Sequence, residues 1–223
     1  MSMMKSLKQA FIRPMFIDRA TTKIGSIDTW RILPGSISSK SIIISGGVGK
    51  NITFEEDLAR TYGCKVILVD PSPTGISTMQ HHDRVGDLID FRAVGIAANT
   101  GALNFGPPEN PDEGSFRKGN SGDEILTLPC VALKDLSGNC DVDLLKIDIE
   151  GFEYEVIDSM LRSGPAVDQI CVEIHTNRVI DIRQTIFSAM GLILRLYRSG
   201  YRIIYNDNMD FTFAHHRALQ RYA

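Results

Sequence analysis

Apolar positions fall into two rhythms that alternate along most of the chain. Ile42, Ile43 and Ile44 form a β-branched run suited to a strand buried on both faces, and residues 65–69 give a second. Between them Ile52, Leu58, Ala59 and Tyr62 recur at helical spacing, with Gly63 placed as the stop. The spacing therefore predicts a complete βαβ unit over 41–71. Helical tendency follows over 77–88, then a third strand over 90–94. A fourth core strand is predicted over 143–149, with a helix over 152–161 that stops near Gly164 and Pro165. A fifth strand over 167–174 precedes a long amphipathic segment over 182–197, interrupted by Gly191. Two last strands, 201–206 and 211–214, are joined by Asp207, Asn208, Met209 and Asp210, which is hairpin chemistry. Strands alternating with helices indicate an α/β fold with a mostly parallel sheet.

Two stretches depart from that rhythm. Residues 1–39 read as an arm packed on the edge of a core domain that begins at residue 40. Within the arm, residues 29–32 alternate like a short strand around Trp30, the only tryptophan. Residues 101–133 read as an insert hairpin with a loop rich in Gly, Pro, Asn and charge. From that loop Ser115, Arg117 and Lys118 can reach an anionic group on a substrate.

The first turn of the βαβ unit carries Gly46, Gly47 and Gly49, which permit close approach of backbone to a ligand. A phosphate-cradling P-loop is excluded, because Gly49 and Lys50 are followed by Asn51 and the required earlier glycine is Ile44. The dinucleotide pattern GxGxxG, started at Gly47, meets Ile52 where its third glycine would stand, which disfavours a pyrophosphate. Asp70 ends the second strand about twenty residues after the glycines, where such folds place the acid that accepts from ribose hydroxyls. A nucleoside ligand without phosphate at its other end fits these residues, and S-adenosylmethionine is one. Gly95, Ile96, Ala97 and Ala98, after the third strand, are expected near its adenine ring.

A second group of polar residues lies at predicted strand ends. The period of two places Lys146, Asp148 and Glu150 on one face of the fourth strand. Burial costs several kcal/mol per unpaired ion, so this face needs an internal salt bridge, a ligand or both. Cys171, Glu173 and His175 share one face of the fifth strand, so that Asp148, Glu150, Glu173 and His175 converge at one rim if the strands are neighbours. Two roles are open. His175 can act as a general base toward a hydroxyl nucleophile, with Asp148 and Glu150 beside it. Alternatively Asp148, Glu173 and His175 can hold a divalent metal such as Mg²⁺ that lowers the pKa of a bound hydroxyl.

The segment Ser45-Gly46-Gly47-Val48-Gly49-Lys50-Asn51, followed by Val69-Asp70-Pro71 and by Leu145-Lys146-Ile147-Asp148-Ile149-Glu150-Gly151, resembles the FkbM-type family of S-adenosylmethionine-dependent methyltransferases. The most specific piece is LLKIDIEGFEYEVI. The resemblance implies a Rossmann-like class I methyltransferase fold: a three-layer αβα sandwich around a mostly parallel seven-stranded sheet that ends in an antiparallel C-terminal hairpin strand. It also implies methyl transfer to an oxygen, with Ser45, Gly46, Gly47, Gly49, Asn51, Asp70 and Asp148 at the cofactor and a small-molecule or glycan acceptor. Many class I enzymes carry an acid where Ser45 stands, so here the methionine amino group must be held by another residue or by water. A nicotinamide-dependent oxidoreductase and a non-catalytic binding protein of the same fold remain as alternatives.

Composition narrows this picture further. A chain of 223 residues, 43% hydrophobic and 23% charged, is enough for one sizeable core. A net charge of −3 offers no footprint for nucleic acid. Cys64, Cys130, Cys140 and Cys171 lack metal-ligand spacing and read as reduced thiols, which points to the cytoplasm. No apolar run is long enough for a signal or membrane segment, so no membrane partner is expected.

Overall fold

The computed structural model describes residues 9–82, 86–108, 116–119, 125–177, 180 and 182–222. An antiparallel pair, β1 (Thr22–Ile24) and β2 (Trp30–Ile32), comes first. The predicted βαβ unit follows as β3 (Ile42–Gly46), α1 (Thr53–Tyr62) and β4 (Lys65–Val69), then α2 (Pro73–His81) and β5 (Ile89–Arg92). Four short strands come next: β6 (Gly95–Ala97), β7 (Gly101–Gly106), β8 (Arg117–Lys118) and β9 (Leu126–Ala132). The chain then forms α3 (Leu133–Leu136), β10 (Val142–Ile147), α4 (Glu153–Ser163), β11 (Val167–Glu173) and α5 (Ile186–Arg198). It closes with β12 (Tyr201–Asp207), β13 (Asp210–His215) and α6 (His216–Arg221).

A seven-stranded sheet in the order β12-β13-β11-β10-β3-β4-β5 is the centre of the α/β fold. From β11 through β5 all neighbours are parallel, whereas β13 runs antiparallel to both β11 and β12. Parallel strands require cover on both faces, and the sequence supplies two separate apolar sets. On one face Ile44, Leu145, Ile147, Ile170 and Val172 pack with Tyr154 and Ile157 of α4 and Leu192 and Leu196 of α5. On the other, Ile43, Val66, Leu68 and Leu144 pack with Phe54 and Leu58 of α1 and with Ile24, Trp30 and Ile32 of the first pair. Three layers result. Phe54 is wholly buried, so truncating it to Ala would cost about 3–5 kcal/mol.

Local chemistry sets where the helices end. α1 stops at Gly63, whose φ of 64° places it in the left-handed region while its N–H bonds back to Ala59. α5 begins at a reciprocal cap between Thr185 and Ser188, four residues later than the apolar pattern suggested, and runs through Gly191 without a break. One glycine costs only about 1 kcal/mol, and the buried face of Ala189, Leu192, Ile193 and Leu196 outweighs it.

The predicted insert hairpin is present as β7 and β9, but it is part of a separate four-stranded sheet ordered β6-β9-β7-β8. β6 joins because it pairs parallel to β9, a long-range pairing that local sequence does not encode. Ser115 lies outside the described residues. Among the described residues no helix is long and apolar enough to cross a membrane.

Candidate active site

A cavity of about 700 Å³ opens at the carboxyl ends of β3, β4, β10 and β11, where open parallel sheets place their ligands. One end is built by backbone. The chain leaves β3 through Gly47 at φ 93°, and a Cβ there would lie 2.0 Å from the Asp148 carbonyl oxygen. Gly47 therefore lets the loop pack against the end of β10. Gly49, at φ 52°, also lines the cavity, but its missing side chain would meet nothing within 4 Å. That side of the loop is open space within the cavity.

Asp70 follows β4 and fixes this loop. Its Oδ2 accepts from the N–H groups of Val48 and Gly49 at 2.8 and 3.3 Å, and its Oδ1 accepts from Ser72 N–H at 2.7 Å. Asp70 is buried yet still contacts the cavity. Three of about four carboxylate lone-pair sites are thus engaged by backbone, leaving one for a further donor. Asn51 also lines the cavity, and its Oδ1 accepts from the N–H and hydroxyl of Thr53 at 2.8 Å each, closing the start of α1.

Ser45 and Gly46 do not belong to the lining. Ser45 is wholly buried, and its hydroxyl donates to Glu55 Oε1 at 2.5 Å behind the loop. Burial pushes the Glu55 carboxyl up, opposed by the nearby Lys146 ammonium. Lys146 Nζ donates to the Gly47 carbonyl at 3.1 Å and lies 3.5 Å from Asp28 Oδ2 and 3.9 Å from Glu55 Oε1. Burial alone would lower the Lys146 pKa, but Glu55, Asp28 and Asp148 together raise it. The lysine is thus the internal ion-pair partner its strand face required, although its acids come from α1 and the β1–β2 turn and not from its own strand.

The opposite end is built by side chains. β10 ends at Ile147, so the predicted alternation through residue 149 does not hold: Glu150 turns at φ 51° and Gly151 at φ 102°. β11 likewise ends at Glu173, before His175. The four predicted residues nonetheless converge, brought together by the turn and by the parallel register of β10 and β11. His175 Nε2 lies 3.1 Å from Glu150 Oε2, 3.7 Å from Glu173 Oε1 and 3.9 Å from Asp148 Oδ1. Its Nδ1 is 2.8 Å from Oε1 of Glu153, which is wholly buried at the start of α4 and also accepts from the N–H groups of Ile149 and Gly151. Glu153 was not singled out from sequence. Its signal was an acid in the first turn of a helix, which ordinarily marks a solvated cap.

The electrostatics of this rim follow from crowding. Burial pulls His175 down, but the hydrogen bond to Glu153 and the charges of Glu153, Asp148 and Glu150 outweigh it and push the imidazole up to about 10. Burial, then repulsion from Asp148, pushes Glu173 up to about 8, and the same two causes push Asp210 up to about 6. Asp148 Oδ1 is a buried acceptor with no hydrogen-bond partner among the described residues. One oxygen each from Asp148 and Glu173 and one nitrogen from His175 lie within 4.8 Å of one another. A divalent cation fits this donor set, because Glu153 on Nδ1 would hold the imidazole in the tautomer that leaves Nε2 as a ligand.

The inserted sheet closes the remaining wall with Phe105, Phe116 and Arg117, facing Phe152. Arg117 is buried there, whereas Lys118 pairs with Glu155 and lies over the Phe152 ring. Of the residues after the third strand, Gly95 and Ile96 line the cavity, whereas Ala97 and Ala98 do not.

Comparison with known proteins matches residues 47–203 to the family model described as Methyltransferase FkbM domain. A curated relative from Haloferax volcanii, Hexuronic acid methyltransferase AglP, is 26% identical over 57% of this chain and 54% of its own. The chain thus spans about half the length of that relative. Among solved structures, a methyltransferase FkbM from Methylobacillus flagellatus KT aligns with TM-score 0.49 and 14% identity, over 80% of this chain and 44% of the other. Human N-acetylserotonin methyltransferase in complex with SAM aligns with TM-score 0.35 and 12% identity, over 78% and 47%.

Proposed function

Because this chain belongs to the FkbM methyltransferase family, we propose that it moves the methyl group of S-adenosylmethionine to an oxygen nucleophile on a small molecule or glycan. The observation that carries this reading is that one cavity joins the glycine loop and Asp70 at one end to the rim of Asp148, Glu150, Glu173 and His175 at the other. The strand order, with β13 as the antiparallel member, agrees with a class I methyltransferase fold.

The cofactor, bound over β3 and β4, supplies an electrophilic methyl group on a sulfonium. Gly49 leaves space for it, and Asp70 keeps one acceptor site for the ribose. The acceptor then sits between the rim and the inserted sheet, where Phe105, Phe116 and Phe152 exclude water. As the acceptor oxygen attacks in line, its proton needs a base with a free lone pair. His175 carries a proton on each nitrogen at neutral pH, so in the metal-free arrangement we assign it the role of a fixed cation that holds the carboxylates. The partnerless Oδ1 of Asp148 then takes the proton. The convergence of Asp148, Glu173 and His175 favours a second reading, in which these three residues would hold a divalent cation that would supply Lewis-acid activation of the acceptor hydroxyl.

The curated relative is named for hexuronic acid, and Arg117 gives this cavity a guanidinium suited to a carboxylate. A glycan ending in a hexuronic acid is therefore the first acceptor to test. Titration with S-adenosylhomocysteine and with NAD, followed by methyl transfer to uronic and neutral glycans with and without chelator, decides the matter. Binding of NAD alone would indicate an oxidoreductase, and binding of neither would indicate a protein without this chemistry.

A further inference from the structure

The glycine-loop end of the cavity lacks an acid where the chain leaves β3, since Ser45 is buried against Glu55. A different carboxylate stands in the same corner. Asp28 lies in the turn between β1 and β2, lines the cavity and has a side chain about 31% exposed. Its Oδ2 is 3.5 Å from Lys146 Nζ, which in turn donates to the Gly47 carbonyl.

The turn is built, not incidental. Gly25 has φ 88°, and a Cβ on it would lie 1.9 Å from the Asp28 carbonyl oxygen, so only glycine permits this path. Thr53 Oγ1 accepts from the N–H groups of Ile27 and Asp28, each at 3.3 Å, and donates to Asn51 Oδ1. One relay through the start of α1 thus ties the Asp28 turn to the glycine loop. Two carboxylates, Asp28 at 3.5 Å and Glu55 at 3.9 Å, lie beside the single ammonium of Lys146. Asp28 and Asp148 both line the cavity with partly exposed side chains, but Asp148 stands beside His175 at the rim, whereas Asp28 stands beside Lys146 at the glycine loop.

We propose that Asp28 receives the α-ammonium of the cofactor's methionine, so that the β1–β2 turn supplies the acid that β3 does not. The assignment rests on the S-adenosylmethionine reading above. Two ligands separate them: S-adenosylhomocysteine carries the amino-acid end, and methylthioadenosine keeps the nucleoside but lacks it. Asp28→Asn should weaken S-adenosylhomocysteine roughly 10- to 100-fold, the worth of one charge-assisted hydrogen bond, and leave methylthioadenosine unchanged. Asp28→Glu, which keeps the charge, should recover part of the loss. Equal weakening of both ligands would mean that Asp28 only supports the loop, and unchanged affinity for both would remove it from the site; either overturns the assignment alone. Failure of the wild-type protein to bind either ligand would overturn the cofactor reading, and this inference with it. Methylthioadenosine binding in each variant also reports that the site is folded.

Discussion

At the glycine-loop end of the cavity, Asp70 gives its carboxylate to backbone N–H groups of Val48, Gly49 and Ser72. At the rim, four carboxylates gather around one imidazole, that of His175. The first arrangement, at Asp70, satisfies charge with fixed peptide dipoles and needs no counter-ion. The second satisfies charge with charge, so its state depends on protons and on any metal. The physical expectation is that the loop end sets affinity and is tied to stability, whereas the rim sets turnover and responds to pH.

The largest effect should come from His175→Ala. With the fixed cation beside the proton-accepting Asp148 removed, turnover should fall by about 10²–10³ while affinity for S-adenosylhomocysteine holds. A proportional loss of affinity in calorimetry would show that the two ends act as one unit, and the contrast would break. The paired glycines give the next test. Gly47→Ala drives a Cβ to 2.0 Å from the Asp148 carbonyl and should cost about 3 kcal/mol of stability or more. Gly49→Ala meets open space and should cost only about 1–2 kcal/mol of left-handed backbone strain, with binding reduced by the filled space. Denaturant melts and titrations on the two variants separate support from contact.

Asp70→Ala should weaken the cofactor by about 1.5–3 kcal/mol and lower the melting temperature too, because the same carboxylate pins the loop. Reduced affinity with an unaltered melt would mean that the amides re-pair with water and that Asp70 acts on the ligand alone. The last test is the pH slope of stability with chelator present. His175 is raised from 6.5 to about 10 in the folded protein. The folded state then holds the extra proton, so the stability it contributes is complete below 6.5 and is lost as pH rises through 10. Melts between pH 7 and 10 should fall more steeply for wild type than for His175→Asn, and parallel curves would remove the imidazolium from the rim.

The loop end was legible in advance because it is local. Glycines, a strand and an acid separated by one helix report their own geometry, and the period of the apolar residues placed β3, α1 and β4. The rim was legible only as a set of residue types at strand ends. Its alternation does not extend past the strand, since β10 stops at Ile147 and the turn through Glu150 and Gly151 redirects the chain into α4. Ser45 likewise matched a motif position, but its hydroxyl faces Glu55 on α1 and not the cavity.

By itself, the sequence determined the α/β alternation, the glycine loop and the C-terminal hairpin, because these depend on backbone preference and on apolar period within short segments. Tertiary structure decided which charges meet. Asp28 reaches Lys146 from a turn more than a hundred residues away in the chain, and Glu153 reaches His175 from the start of a helix on another element. Such pairs leave no periodic trace, since a single buried ion needs only one partner, and the packing of layers can deliver that partner from anywhere in the chain.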